Sequence, residues 1–307
     1  MKVGFIGVGT MGGPMARHLQ EAGHDLVVHD VRKEAAESHI AAGATWGATP
    51  AEVFAATPVV FTSLPMPGDV ESVALGPNGL IESAEPGKTY FDVSTNAPSM
   101  IKKLHAAFAE KGVQMLDAPI SGGKAGAESG RLAFMVGGDE NTFNEYKEVL
   151  RAMGDQPIYV GPIGDGTVAK LVHNLAGQSM ALAFAEAFTI GVRAGVDPVA
   201  LWTAIRQGAG GRPRRPLDSL RFFMHEDEPA NFRLELALKD ITLACQLARE
   251  VHVPAGLSQL TNDQLMAACE RGWGTHDMTA LLLHQAAQAG VDFRISQEDI
   301  DRVREND

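Results

Sequence analysis

The chain has 307 residues, of which 45% are hydrophobic and 21% are charged, and its formal net charge is -12. This length suits two domains, and the composition is that of a globular protein rather than a disordered or fibrous one. The acidic balance argues against a nucleic-acid or anionic-membrane partner, because both select for clustered Lys and Arg.

The cysteines and the apolar segments set further expectations. Cys245 and Cys269 fall in a stretch with helical periodicity, and their spacing suits neither a disulfide framework nor a zinc site. We therefore expect no metal and a reducing, cytoplasmic location. The amino-terminal residues have no secretory pattern, and the apolar run 180–191 is too short to cross a bilayer, so we expect a buried helix there.

Short apolar runs alternate with helical patterns through the first half of the chain. Such alternation is typical of βαβ units and predicts an α/β domain with a doubly wound, mainly parallel sheet. The predicted strands cover 2–7, 25–30, 58–64, 89–92, 113–117, 133–137 and 158–161.

The strand signals stop after residue 164, and apolar residues then recur with the helical period of about 3.6 residues. Predicted helices cover 168–194, 198–205, 234–251 and 258–271. Gly and Pro punctuate the change of period at 161–164. We therefore predict an α/β domain over residues 1–162 and an all-helical domain over 163–307.

The first chemical motif, GVGTMG at 7–12, follows a predicted strand and opens a predicted helix. Glycines suit this place because the turn is tight and the backbone must approach phosphates, while the helix amino terminus offers free N–H groups. Asp30 ends the second predicted strand, where a carboxylate accepts hydrogen bonds from ribose hydroxyls. The alternative is a plain glycine turn beside a surface aspartate. The combination predicts a Rossmann domain that binds a dinucleotide through Gly7, Gly9, Thr10, Met11, Gly12 and Asp30.

The identity of the dinucleotide depends on the charge beside its ribose. The Asp30 carboxylate would repel a 2'-phosphate, which favours NAD over NADP. Arg32 could hold that phosphate, so NADP stays the less favoured alternative.

Four stretches of the chain resemble, in order, the β-hydroxyacid dehydrogenase family, which includes 3-hydroxyisobutyrate dehydrogenase and tartronate semialdehyde reductase. They are GVGTMGGPMARHL at 7–19, DVSTNAP at 92–98, DAPISGGKAGAESG at 117–130 and GDGTVAKLVHN at 164–174. A fifth, FRLELALKD at 232–240, is similar to the family's Lys-Asp pair. The resemblance implies hydride transfer between NAD and a small β-hydroxy acid, by a homodimer or homotetramer.

The resemblance also implies roles for the matching residues. Lys170 would be the general acid/base, since oxidising an alcohol requires removal of the hydroxyl proton. Asn174, on the same helix face, would orient the substrate oxygen. The substrate carboxylate would bind Ser121, Gly122 and Gly123. The cofactor would contact Leu64, Pro65 and Thr95, and also Lys239 and Asp240 of the helical domain, of which Lys239 would reach the substrate as well.

Each implied role has a structural alternative. Lys170 could be a solvated surface lysine, and residues 121–123 a flexible turn. Leu64-Pro65 could be a chain turn, Thr95 a strand-end cap, and Lys239 half of a helical ion pair.

His173 departs from the family, which usually has Asn at this position, and its neighbourhood resembles 6-phosphogluconate dehydrogenase. That enzyme continues with a glutamate that protonates an enol after decarboxylation, and with a tyrosine. Here Gly177 and Gln178 stand at the matching positions, so the decarboxylation acid is missing, and this chemistry is kept only as the alternative. His173 is either a hydrogen-bond donor to substrate or a packed helix histidine.

Five arginines crowd a Gly- and Pro-rich stretch in the second half. If these arginines face the substrate site, they would favour a substrate with a second anionic group. The alternative is that they are solvated at the surface. An imine reductase and a non-catalytic dinucleotide-binding module are further alternatives, which the lysine at position 170 disfavours because such relatives usually lack it. The arginines are Arg206, Arg212, Arg214, Arg215 and Arg221.

Overall fold

A computed structural model describes residues 1–208, 230, 233–250, 252–278, 280–290 and 298. The chain folds as two compact units, Met1–Ala176 and a second that begins at Gly177. The division falls inside a helix that runs from Asp165 to Arg193. The domain boundary after residue 162 stays a prediction.

The first unit is built on one sheet. Its strands are β1 Lys2–Ile6, β2 Asp25–His29, β3 Thr45–Trp46, β4 Val59–Thr62, β5 Thr89–Asp92, β6 Gln114–Asp117, β7 Ile120–Ser121, β8 Ala133–Gly137 and β9 Gln156–Gly161. The first six are parallel, in the order β3-β2-β1-β4-β5-β6. β8 pairs antiparallel with β6 and β7 and parallel with β9. The predicted mainly parallel α/β fold is confirmed.

Helices connect the strands and continue into the second unit. The first unit contains α1 Gly12–Glu21, α2 Glu37–Ala41, α3 Pro50–Ala55, α4 Pro67–Leu75, α5 Pro98–Ala109, α6 Gly123–Ser129 and α7 Glu140–Met153. α8 Asp165–Arg193 begins in it, and α9 Pro198–Gln207, α10 Leu234–Glu250, α11 Gly256–Ala268 and α12 Ala280–Ala289 follow. The predicted helical second half is confirmed.

Two hydrophobic clusters cover the two faces of the sheet. Phe61 and Phe91 stack on one face, with ring centroids 5.0 Å apart, and Val60 and Tyr90 point to the other. Every residue of β4 and β5 is buried, as expected for parallel strands covered on both faces. Polar groups are therefore presented by the strand ends and the loops that follow them.

The structure corrects the predictions at two short strands and at the run 180–191. β3 and β7 were not predicted, because two paired residues are too short to show a period. The run 180–191 is helical, but Met180 and Phe184 are exposed rather than buried, because α8 leaves part of its surface uncovered in this chain. Among the described helices, none has the length and apolar character needed to cross a bilayer.

Candidate active site

The glycine turn between β1 and α1 is shaped by contacts that exclude side chains. Gly7 has a φ of +87°, and a β-carbon at Gly12 would lie 1.8 Å from the Gly7 carbonyl oxygen. A β-carbon at Gly9, in contrast, would meet no atom within 4 Å. The fold therefore requires Gly7 and Gly12, whereas Gly9 keeps space open at the amino terminus of α1, where phosphates would approach.

A groove of about 430 Å³ lies over this turn. Thr95 does not line it and is exposed after β5. The open space and the Asp30 carboxylate in the groove wall fit a dinucleotide, although each contact with it stays a prediction. The groove brings together the other predicted cofactor residues of the first unit, Gly7, Gly9, Thr10, Met11, Gly12, Asp30, Leu64 and Pro65.

Asp30 has a second role that sequence reasoning missed. Its Oδ2 accepts the Val8 N–H at 3.0 Å, and its Oδ1 accepts the Arg32 N–H at 2.9 Å. The carboxylate thus ties the glycine turn to the loop after β2. This tie also fixes the carboxylate at the groove wall, where ribose hydroxyls would meet it.

A buried network at the end of β5 was also missed. Asp92 Oδ1 accepts the Thr62 hydroxyl at 2.9 Å and the Ser94 N–H at 3.1 Å, and Ser94 Oγ accepts the Leu64 N–H at 3.0 Å. Burial raises the pKa of the Asp92 carboxyl, and hydrogen bonds from Ser94 and its neighbours oppose the rise. The network fixes the backbone of Leu64 in the groove wall. An aspartate ending an apolar strand was the available signal.

The start of α8 is held by a carboxylate from β6. Asp117 is fully buried, and its two oxygens accept the Gly164 N–H at 2.7 Å and the Thr167 N–H at 2.6 Å. A helix amino terminus leaves such N–H groups without intrahelical partners. Burial raises the pKa of the Asp117 carboxyl, and the bonds from Gly164 and Thr167 oppose the rise.

Lys170 follows in α8 and is 8% exposed. Burial lowers the pKa of its ammonium group. Among the described residues, Lys170 forms no salt bridge and no hydrogen bond. This burial excludes the alternative of a solvated surface lysine.

Three of the predicted substrate residues meet beside α8. Ser121 Oγ lies 3.4 Å from His173 Nε2, and His173 Nδ1 lies 3.2 Å from Asn174 Oδ1. A carboxamide oxygen only accepts, so Nδ1 carries the hydrogen, and Nε2 of the neutral ring accepts from the Ser121 hydroxyl. His173 is exposed in this chain, which removes the alternative of a packed helix histidine. Positions 170, 173 and 174 share one helix face.

The turn after β7 depends on its two glycines. Gly122 and Gly123 have φ values of +134° and +62°, in the region that favours glycine. A β-carbon at Gly122 would also lie 3.0 Å from the Leu132 side chain. A residue with a side chain is therefore disfavoured at both positions.

Some predicted residues lie outside the described part of the chain. Lys239 and Asp240 belong to α10, but their side chains are not described, and neither is the side chain of Arg206. Arg212, Arg214, Arg215 and Arg221 are outside it altogether. In the part that is described, Cys245 and Cys269 are free thiols, and metal-ligating side chains form no cluster.

Comparisons with known proteins identify the family. Residues 2–161 match the NAD binding domain of 6-phosphogluconate dehydrogenase, and 164–284 match the NAD-binding domain of NADP-dependent 3-hydroxyisobutyrate dehydrogenase. The 2-(hydroxymethyl)glutarate dehydrogenase of Eubacterium barkeri is 34% identical over 95% of this chain and 97% of its own length. The NAD-dependent L-serine dehydrogenase of Pseudomonas aeruginosa is 33% identical over 91% and 96%. The chain belongs to the β-hydroxyacid dehydrogenase family.

Solved structures agree with this assignment. Mycobacterium tuberculosis 3-hydroxyisobutyrate dehydrogenase, solved with L-serine, is 28% identical with a TM-score of 0.63 and covers 92% of this chain and 97% of its own. An imine reductase from Pseudomonas sp. has a TM-score of 0.75 at 16% identity and shares the fold alone. The protein is therefore an NAD(P)-dependent oxidoreductase that acts on CH–OH groups.

Proposed function

We propose that this enzyme oxidises the hydroxyl group of a small 3-hydroxy acid with NAD as acceptor, and that Lys170 is its general acid/base. The observation that carries the proposal is the burial of Lys170, which lowers the pKa of the ammonium group on the helix face that also bears Asn174. A lysine with a lowered pKa is neutral in a larger fraction of molecules at a given pH, so its Nζ is more often free to accept a hydroxyl proton.

The residues of the first unit divide the work. We assign the substrate carboxylate to the Ser121 hydroxyl and to the N–H groups of Gly122 and Gly123. Because Asn174 Oδ1 is engaged by His173, its Nδ2 group is left to donate to the substrate oxygen.

Lys170 Nζ removes the proton from that oxygen as the carbon is oxidised, and returns it in the reverse direction. NAD, when bound, supplies the hydride acceptor. The groove residues, Thr95, Lys239 and Asp240 would hold it, and Lys239 would also approach the substrate.

The relatives narrow the substrate class. Their names specify 2-(hydroxymethyl)glutarate, L-serine and 3-hydroxyisobutyrate as substrates. All three are carboxylic acids with a primary hydroxyl on the carbon two bonds from the carboxylate carbon. They differ in the substituent on the carbon that joins the carboxylate to the hydroxymethyl group. We propose that this protein acts on the same primary alcohol. The arginine-rich stretch at 206–221 would favour a substituent with a second carboxylate.

The choice of NAD rests on Asp30. Its carboxylate is anchored by two backbone N–H groups at the groove wall, so it cannot easily swing away from a 2'-phosphate. Arg32 donates its backbone N–H to this carboxylate, and its exposed side chain is the reason to test NADP in parallel.

The proposal is tested by following nicotinamide absorbance with each of these acids, glycerate and 6-phosphogluconate, using NAD and NADP. Lys170→Met should lower turnover about 10²- to 10⁴-fold, the usual contribution of general acid–base catalysis. In the wild type, the oxidation rate should rise with pH through the lowered pKa of Lys170.

Lys111→Met is the matched control, since Lys111 is an exposed lysine of the same unit. It should leave turnover unchanged, and both variants should bind NAD as the wild type does. Undiminished turnover in Lys170→Met would rule out this mechanism.

Oxidative decarboxylation is the second candidate, favoured by the bonded arrangement of Ser121, His173 and Asn174. It lacks an evident acid, because Gly177 stands where 6-phosphogluconate dehydrogenase has glutamate. Release of carbon dioxide from 6-phosphogluconate would support it.

We further propose that the enzyme works as a cytoplasmic homodimer or homotetramer, as the resemblance implies. Light scattering of the purified protein gives the assembly mass. A monomer at the concentrations used for turnover would contradict the proposal.

A further inference from the structure

One buried carboxylate joins two parts of the candidate active site that are distant in sequence. Asp117 ends β6, and Ser121 lies four positions further along the same chain segment. Through the Gly164 and Thr167 N–H groups, Asp117 also holds the first turn of α8, which carries Lys170 in its second turn.

Glycines make the socket for this carboxylate. A β-carbon at Gly137 would lie 2.6 Å from Asp117 Oδ1. A β-carbon at Gly166 would lie 2.2 Å from the Met135 carbonyl oxygen, so α8 sits against β8 as closely as the backbone allows. The start of α8 therefore cannot move toward the sheet, and the two bonds to Asp117 keep it from moving away.

We propose that Asp117 is a positioning residue that fixes Lys170 against the loop formed by Ser121, Gly122 and Gly123. This inference rests on the proposed function only where it assigns chemistry to Lys170. The carboxylate is suited to the task because both of its oxygens accept, whereas an amide would set its NH₂ group against one of the two N–H donors. Its charge also complements the positive end of the helix dipole.

The register partner of Asp117 shows that burial alone does not give this role. Asp92 lies opposite Asp117 in the neighbouring strand and is equally buried. Its carboxylate is satisfied by Thr62 of β4 and by Ser94 and Asn96 in the segment after β5. Of the two, only Asp117 bonds to α8.

The test measures the titration of Lys170 without any substrate. Trace labelling with acetic anhydride across a pH series, read by peptide mass spectrometry, reports when each lysine loses its proton. In the wild type Lys170 should lose its proton at a lower pH than an ordinary lysine side chain, because burial lowers its pKa. In Asp117→Asn and Asp117→Ala the titration of Lys170 should move toward the ordinary range, because a loosened helix start admits water to Lys170.

Turnover should follow the titration. With the hydroxy acid that the wild type oxidises, both Asp117 variants should lose about 10- to 100-fold in kcat, the effect of a misplacement near 1 Å. The binding of NAD should be unchanged. Asp139→Asn is the matched control, because Asp139 caps α7 through the Thr142 N–H at 2.8 Å without contact to the site, and it should alter neither titration nor turnover.

Gly166→Ala gives an independent variant if the Asp117 variants do not fold. Its β-carbon crowds the Met135 and Asp117 carbonyl oxygens and displaces the start of α8 without removing the Asp117 carboxylate group, so the titration of Lys170 should shift in the same direction. A lower melting temperature in Asp117→Asn with unchanged titration and kcat would overturn the proposal, because Asp117 would then be a structural cap only. A shifted titration would support it even if Lys170→Met stays active, in which case the proposed function alone fails.

Discussion

Two helices of the first unit, α1 and α8, have amino termini that are completed in different ways. α1 has no acidic residue in its first turn and no capping side chain, and the space beside Gly9 is open. At the start of α8, in contrast, the Asp117 side chain accepts the N–H groups of Gly164 and Thr167. One helix thus leaves its free N–H groups and positive dipole end to a ligand, and the other satisfies them inside the fold.

The difference separates binding from chemistry. A helix start that is completed by a ligand contributes to affinity and adds little to the stability of the free protein. A helix start that is completed by the fold is ordered before any ligand arrives, so the lysine it carries is already in place. Variants at the two sites should therefore change different measured quantities.

The largest effect is expected at the glycine turn. Gly12→Ala places a β-carbon on the Gly7 carbonyl oxygen, so it should destabilise the protein by about 3 kcal/mol and abolish NAD binding. Gly9→Ala meets no atom, so its stability should stay within about 0.5 kcal/mol of the wild type. Its affinity for NAD should still fall at least about tenfold, because the methyl group occupies the space for phosphates.

Thermal melts and fluorescence titrations with NAD separate the two variants. Equal losses of stability would show that the fold itself requires both glycines. The open amino terminus of α1 would then not be reserved for a ligand.

A smaller effect is expected at Asp30, whose charge serves both the turn and the cofactor. Asp30→Ala removes the acceptor for the Val8 and Arg32 N–H groups and should weaken NAD binding roughly 10- to 100-fold, as expected for hydrogen bonds to a charged group. NADP binding should suffer less, because a repulsive charge is removed. Isothermal titration with both dinucleotides measures the change in preference.

Asp25→Ala, at the exposed start of the same strand, is the control and should change neither affinity. An unaltered preference in Asp30→Ala would mean that another residue discriminates between the dinucleotides.

The same two helix starts show what sequence reasoning could reach. The glycine turn was predictable because its residues are contiguous and follow a strand, so one short motif contains the whole phosphate-binding turn. The hydride-transfer residues were predictable only through the family resemblance, since Lys170 alone looks like a surface lysine.

The role of Asp117 was not predictable, because its partners Gly164 and Thr167 lie far along the chain and become neighbours only when the domain folds. The two-residue strand at Ile120–Ser121 escaped for the same reason, since its pairing with β8 is a tertiary event. Sequence patterns record local periods and motifs, and these contacts have neither.

The smallest effect distinguishes the buried cap from an exposed one through pH. Hydrogen bonds from the Thr142 N–H and hydroxyl lower the pKa of Asp139, so its stabilising contribution is present above the ordinary value of 3.8 and is lost as pH falls through the lowered one. Burial raises the pKa of Asp117, so the folded state binds its proton first, and this group makes stability rise as pH falls toward 3.8.

Melting temperatures between pH 3 and 7 should therefore respond with opposite signs. Asp139→Asn should flatten the acid decline of stability, because the group that loses its contribution there is gone. Asp117→Asn should steepen the decline, because the opposing group is gone. Slopes of the same sign would mean that Asp117 behaves as a solvated cap. Asp117 and Asp139 would then cap their helices in the same way, and burial would add nothing to the role of Asp117.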